Sequence, residues 1–326
     1  MTSLYGNAAA RAAFGAAIDS GVLHHAWLFA GPEGVGKGSF AVAAALRLLA
    51  EGAAPGVRFS DFDVPSDHPA ASLIAAGSHP DFRRLTRLPK DADKPDGERA
   101  RSITIAQVRA LLPMLATTPS LSPRRVIVID AIDDLERGGA NALLKSLEEP
   151  PAGTIFLLVS HAPGRLLPTV RSRCRILRFE PLDDADMRAA LRSELPDASA
   201  EEIDALAHAG DGAPGRALRY AGLDLPAIDT ALAGFARDGD PGNTARARLA
   251  KALSLKAAQP RYELFLDRAP TMIAEAAAHR RGESLRTALD AYDAARELAG
   301  AARGLSLDAQ GTVFEMAGIV ARLACA

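Results

Sequence analysis

A disulfide framework is excluded at the outset, because the 326 residues contain two cysteines, Cys174 and Cys325, far apart in the chain. The same scarcity argues against a cysteine-rich zinc site and suits a reducing cytosol. Aromatic residues make up 5 % against 48 % hydrophobic residues in all. Alanine carries much of that apolar content, which favours helices over extensive sheets. Charge of one sign is missing too. With a formal net charge of -2, no global field draws the chain onto nucleic acid, so DNA contact must be local or made through partners. No apolar run approaches the roughly 18 residues of a membrane span. Met1 to Ile18 is Ala-rich but broken by Tyr5, Asn7 and Arg11, and lacks the continuous apolar centre of a secretory signal.

What is present divides the chain into three parts, a comfortable number for this length. Residues 1–181 alternate strand-like and helix-like segments, the pattern of a parallel sheet covered by helices. Ala26 to Ala30 is a short apolar run ending at a Gly-rich turn, and Lys37 to Leu49 reads as the helix after it. Val126 to Ile129 and Thr154 to Val159 are short, β-branched and apolar, hence buried strands; Asp81 to Arg87 and Arg175 to Phe179 are weaker ones. Thr104 with Gln107 is a capping-box signature opening a helix to Leu115, which Pro113 should kink or shorten. The mixed-charge stretch Arg83 to Arg101, around Pro89 and Pro95, reads as a solvated loop. Residues 182–222 form a small helical segment, with a second capping box at Ser199 and Glu202, a stop near Gly210, and Pro214 opening the next helix. Residues 223–326 are all helical, with breaks near Gly239 to Gly242, Gln259-Pro260, Arg281-Gly282 and Gly304.

The stretch Gly31-Pro32-Glu33-Gly34-Val35-Gly36-Lys37 follows a strand and precedes a helix, the setting in which a Gly-x-x-x-x-Gly-Lys match acquires a mechanism. Glycines let backbone N–H groups curl around a phosphate at the helix N-terminus, and Lys37 would reach the outer phosphates. A working loop then needs Ser or Thr, whose hydroxyl ligates Mg²⁺. Here the residue is Gly38. Ser39 comes one position late, about 100° around the helix. Asp130, at the end of a buried strand, is the expected metal-side carboxylate. Gly31, Gly34, Val35, Gly36, Lys37, Gly38, Ser39 and Asp130 thus make a candidate but degenerate nucleotide site. Arg173, at the end of a short helix beyond Thr154 to Val159, is a candidate arginine finger for a nucleotide bound on an adjacent subunit; a structural ion pair is the competing reading.

Several motifs carry a family resemblance. His25 to Phe29 through Lys37, Asn141-Ala142-Leu143-Leu144-Lys145-Ser146-Leu147-Glu148-Glu149-Pro150-Pro151, and Pro163 through Ser172-Arg173-Cys174-Arg175 resemble the bacterial DNA polymerase III clamp-loader family of AAA+ proteins, closely over residues 20 to 220. In AAA+ ATPases the residue after the strand Asp is a Glu that activates the attacking water, and here it is Ala131. General-base assistance is typically worth about 10²–10⁴-fold. Gly38 and Ala131 therefore resemble the delta-prime branch rather than the gamma and tau motors. The resemblance implies an AAA+ P-loop domain (1–181), a helical lid (182–222) and a helical collar (223–326). It implies a fixed member of a five-subunit ring with gamma/tau and delta subunits that places a sliding clamp on primed DNA. Arg173 of Ser172-Arg173-Cys174 would project into a neighbour's ATP site. The family's usual four-cysteine zinc module has no counterpart before Cys174, so no zinc is expected. The lid's sensing Arg falls one place late, at Arg216 after Gly212-Ala213-Pro214-Gly215, which points to weak ATP or ADP binding and no required cofactor.

Three other readings compete. An active gamma/tau-like ATPase is opposed by Gly38 and Ala131. A small-substrate P-loop kinase leaves residues 223–326 unexplained. A nucleic-acid-binding protein in its own right could use Arg165, Arg171, Arg173, Arg175 and Arg178, although clustered arginines near an interface more often make subunit contacts.

Overall fold

Five short strands hydrogen-bond into one parallel sheet: β1 (Ala26–Ala30), β2 (Phe82–Leu85), β3 (Arg125–Asp130), β4 (Thr154–Ser160) and β5 (Arg175–Arg178), in the order β2-β3-β4-β1-β5. The computed structural model describes residues 3–54, 56–91, 93–94, 97 and 99–325. Register is continuous across the centre, with Leu28 beside Leu158 of β4 and Ile176 of β5. β1, β3 and β4 are buried along almost their whole length, as a sheet covered on both faces requires.

Alternation along β1 sends its side chains to two different cores. Trp27 and Phe29 join Phe14, Phe40, Phe62 and Phe179 in an aromatic cluster of edge-to-face and tilted contacts, so the single tryptophan and five of the phenylalanines serve one face. The helix Lys37–Ala53 lies on that face and is buried along most of its length. Ala26 and Leu28 turn the other way, onto Ile127, Ile129, Phe156 and Leu158 with Val108, Leu143 and Leu147 from covering helices.

Local signals place several element ends. Thr104 and Gln107 form the reciprocal capping box, and Pro113 divides the expected helix into Ile105–Arg109 and Leu112–Leu115. The charged stretch differs from a plain loop. Its first residues belong to β2, and its arms return to bridge at Pro89 and Arg99; Ala92, Pro95, Asp96 and Glu98 lie outside the described residues.

The chain forms two compact units, residues 1–198 with 210–216, and residues 199–209 with 217–326. Within the second, helices Leu225–Asp238, Thr244–Leu253, Gln259–Ala278, Gly282–Leu305 and Ala309–Ala321 pack together. Ala288, Ala291, Ala295, Ala299 and Ala302 make a buried small-residue stripe along the longest helix, which lets its neighbours approach closely. Pro270 sits inside Gln259–Ala278 without ending it. Beside it, the buried Arg268 pairs with Asp229 at 2.9 Å and Glu275 at 3.5 Å. Among the described residues no helix is long and apolar enough to cross a membrane.

Candidate nucleotide site

The candidate residues converge at the carboxyl ends of the central strands, where ligands of open α/β sheets bind. The Gly-rich loop leaves β1, Asp130 closes β3, and Ser160 closes β4 with its carbonyl accepting from Gly31 N at 3.3 Å. Gly34 (φ 88°) and Gly36 (φ 93°) adopt the left-handed conformations that suit glycine. Gly34 has a second constraint, since a Cβ there would lie 2.9 Å from Arg216 N. Gly215 N donates to Gly34 O at 2.9 Å, so the turn Ala213 to Arg216 packs on the loop backbone, which uses Arg216's main chain. Val35 is buried beneath.

Lys37 is almost fully buried, and its ammonium donates to the carbonyls of Gly31, at 2.7 Å, and Pro32. Burial pulls its pKa down from 10.5 to about 8, against the opposing pull of Asp130, Asp133 and Glu33. The lysine thus satisfies the loop's own carbonyls.

The metal side is altered more deeply than by a missing hydroxyl. Asp130 Oδ2 pairs with Arg84 Nη2 at 2.7 Å, so a side chain from β2 supplies the cation beside this carboxylate. A Cβ built on Gly38 would fall inside contact distance of Asp130 Oδ2 and 3.2 Å from its Cγ. The carboxylate therefore occupies the space a Ser or Thr would need. Ser39 is exposed on the helix surface. A Mg²⁺ ion needs a hydroxyl from the loop and a free strand carboxylate, and these residues offer neither.

The position after Asp130 holds an alanine rather than a carboxylate that could activate water. Ala131 is buried. Asp133 accepts from Ser160 Oγ (2.9 Å), His161 N (2.7 Å) and Ala162 N (3.1 Å), which makes it the clamp on the end of β4. His161 has its pKa lowered by burial first and then by Lys37. Its Nδ1 is buried without a hydrogen-bond partner among the described residues. The sequence reading missed Arg84, Asp133 and His161 as parts of this site; none has a local sequence signal, because each acts across the sheet.

Arg173 has its own setting. Nη1 donates to Thr169 O at 2.8 Å and Ser172 Oγ at 3.5 Å, and Nη2 pairs with Glu148 at 2.8 Å. Of the other clustered arginines, Arg175 lies 5.2 Å over the Trp27 ring and Arg171 reaches Pro163 O at 3.4 Å. Cys174 is half-buried and its thiol is pushed up to about 11 by burial.

Sheet order, loop and carboxylate together define a P-loop-type α/β unit, with Gly38 after the loop lysine and Ala131 after the strand carboxylate. Residues 6–183, over half of the chain, match the family described as DNA polymerase III, delta subunit, and the chain belongs to that family. It is 38 % identical over 199 residues to the DNA polymerase III subunit delta' of Pseudomonas aeruginosa, covering 61 % of this chain and 56 % of that one. The delta' subunit of Bacillus subtilis is 34 % identical over 167 residues, covering 51 % and 45 %. Both relatives are delta' subunits, and this chain spans about half their length. A solved DNA polymerase III gamma subunit-related protein of Thermotoga maritima aligns over 95 % of this chain and 98 % of that one, at 16 % identity and a TM-score of 0.44.

Proposed function

We propose that this chain is a non-motor subunit of a DNA polymerase III clamp loader, with no ATPase turnover of its own. The observation that carries the reading is the Gly38–Asp130–Arg84 arrangement. The phosphate loop keeps its glycines, while an internal ion pair holds the carboxylate a metal would use. Ala131 removes the general base as well. Nucleotide, if bound, is then held weakly by backbone N–H groups, and no metal or other cofactor is required.

In this reading the chain acts by lending a cation. Arg173 enters an ATP site on a neighbouring gamma or tau subunit, where a trans arginine typically contributes about 10³–10⁵-fold to phosphoryl transfer. The helices of residues 223–326 hold the chain in a ring with gamma/tau and delta, and the ring loads the sliding clamp onto primed DNA in replication. The test is a reconstituted complex carrying Arg173→Ala. Assembly should survive while DNA-stimulated ATP turnover falls by about tenfold or more; full stimulated turnover would refute the finger. Brisk hydrolysis by the isolated chain, abolished by Lys37→Ala, would instead favour a gamma/tau-like motor.

A further inference from the structure

We propose that Glu148 is a positioning residue for Arg173, holding the guanidinium in place before a neighbour's phosphates arrive. The proposal rests on the reading of Arg173 as a group lent in trans.

Three observations converge on Glu148. It pairs with Arg173 Nη2 at 2.8 Å while Thr169 O holds Nη1 at 2.8 Å, so each terminal nitrogen has its own tether. A guanidinium has five N–H donors in a planar fork, and with Nη1 engaged by Thr169 O and Ser172 Oγ and one Nη2 N–H by Glu148, Nε–H and the second Nη2 N–H stay available to a phosphate. A free arginine has large rotamer freedom to lose on docking, and this tether removes much of it in advance.

The second observation is an electrostatic misfit. Glu148 is the last residue of the helix Arg137–Glu148, and Glu149 follows as its cap. A helix C-terminus carries partial negative charge and favours cations. Two successive carboxylates there run against the local preference, so their placement calls for a tertiary partner. Arg173 is the partner Glu148 meets.

The third is rigidity. The preceding residue, Leu147, is buried in the core, and its carbonyl accepts from His25 Nε2 at 3.1 Å, just ahead of β1. Glu149 N donates to Lys145 O at 3.0 Å. The backbone that bears Glu148 is thereby fixed to the central sheet, and through it so is the guanidinium.

The pair is partly exposed on both sides, and such a pair adds little to stability, so its consequence is sought in turnover. The experiment uses the whole reconstituted complex with Glu148→Gln, Arg173→Ala, the double variant, and Glu149→Gln as the neighbouring control. Glu148→Gln should lower the DNA-stimulated kcat about three- to fivefold, the scale of a partly exposed ion pair, with KM for ATP unchanged. In the Arg173→Ala background it should change nothing further. Equal losses in both backgrounds would mean that Glu148 acts without Arg173, and a silent Glu148→Gln beside a damaging Arg173→Ala would mean no positioning; either overturns the proposal alone. A silent Arg173→Ala would overturn the finger reading itself. An equal loss in Glu149→Gln would reduce the effect to charge at the helix end and also overturn it.

Discussion

Gly38→Ala sets two effects of opposite sign against each other. Position 38 lies in the first turn of Lys37–Ala53, where exchanging Gly for Ala gains up to about 1 kcal/mol of helix propensity. Against that stands the Asp130 carboxylate, inside contact distance of the new Cβ at Oδ2 and 3.2 Å away at Cγ. Overpacking of this kind costs about 1–3 kcal/mol. Moving Asp130 aside also loosens its pair with Arg84, worth about 0.2–1 kcal/mol for a partly exposed pair. The clash should win, leaving a net loss of about 1–2 kcal/mol. Urea unfolding followed by fluorescence reads it cleanly, because Trp27 is the single tryptophan and lies buried in β1 of the first unit. The partner in the clash is identified by repeating the exchange in an Asp130→Ala background, where Gly38→Ala should turn neutral or stabilising. Stabilisation by Gly38→Ala in the native background would show that the carboxylate leaves room there, and the account of why this position is glycine would fail.

Lys37 makes stability depend on pH. Its pKa is about 8 in the folded chain against 10.5 ordinarily, so between those values the unfolded state binds more protons and this group makes stability rise with pH. Below about pH 8 the burial penalty is complete and constant; Lys37→Met should remove the rise, and parallel wild-type and variant curves from pH 7.5 to 9.5 would contradict it. Asp133→Ala strips three hydrogen bonds from the end of β4 and should destabilise the first unit by about 2–4 kcal/mol, given about 1.5–3 for each bond to a charged group before relaxation; a loss under 1 kcal/mol in urea unfolding would show that the clamp is dispensable. ATP binding to the isolated chain, followed calorimetrically, should be weak and indifferent to Mg²⁺. A large gain in affinity on adding Mg²⁺ would mean that Asp130 leaves Arg84 to take the ion.

What the sequence by itself determined was local. The turn of the phosphate loop follows from glycines at 31, 34 and 36, because left-handed backbone at 34 and 36 suits a residue without Cβ. The Thr104–Gln107 cap and the break at Pro113 follow from side chains and rings acting within one helical turn. The substitutions at Gly38 and Ala131 were legible as losses for the same reason. Their consequences were not. Arg84 and Asp130 stand 46 residues apart and meet because β2 and β3 pair in one register, which turns a missing ligand into an occupied site. Asp133 proved to be the clamp on β4, since its carboxylate oxygens meet backbone N–H groups that no periodicity reveals. Glu148 runs against its helix and meets Arg173 across the fold; Pro270 sits inside a helix that its neighbours hold together. Chain-local preferences are settled by backbone sterics and by partners a few residues away. Charge pairing and close approach depend on which strands and helices are neighbours, and tertiary packing alone decides that.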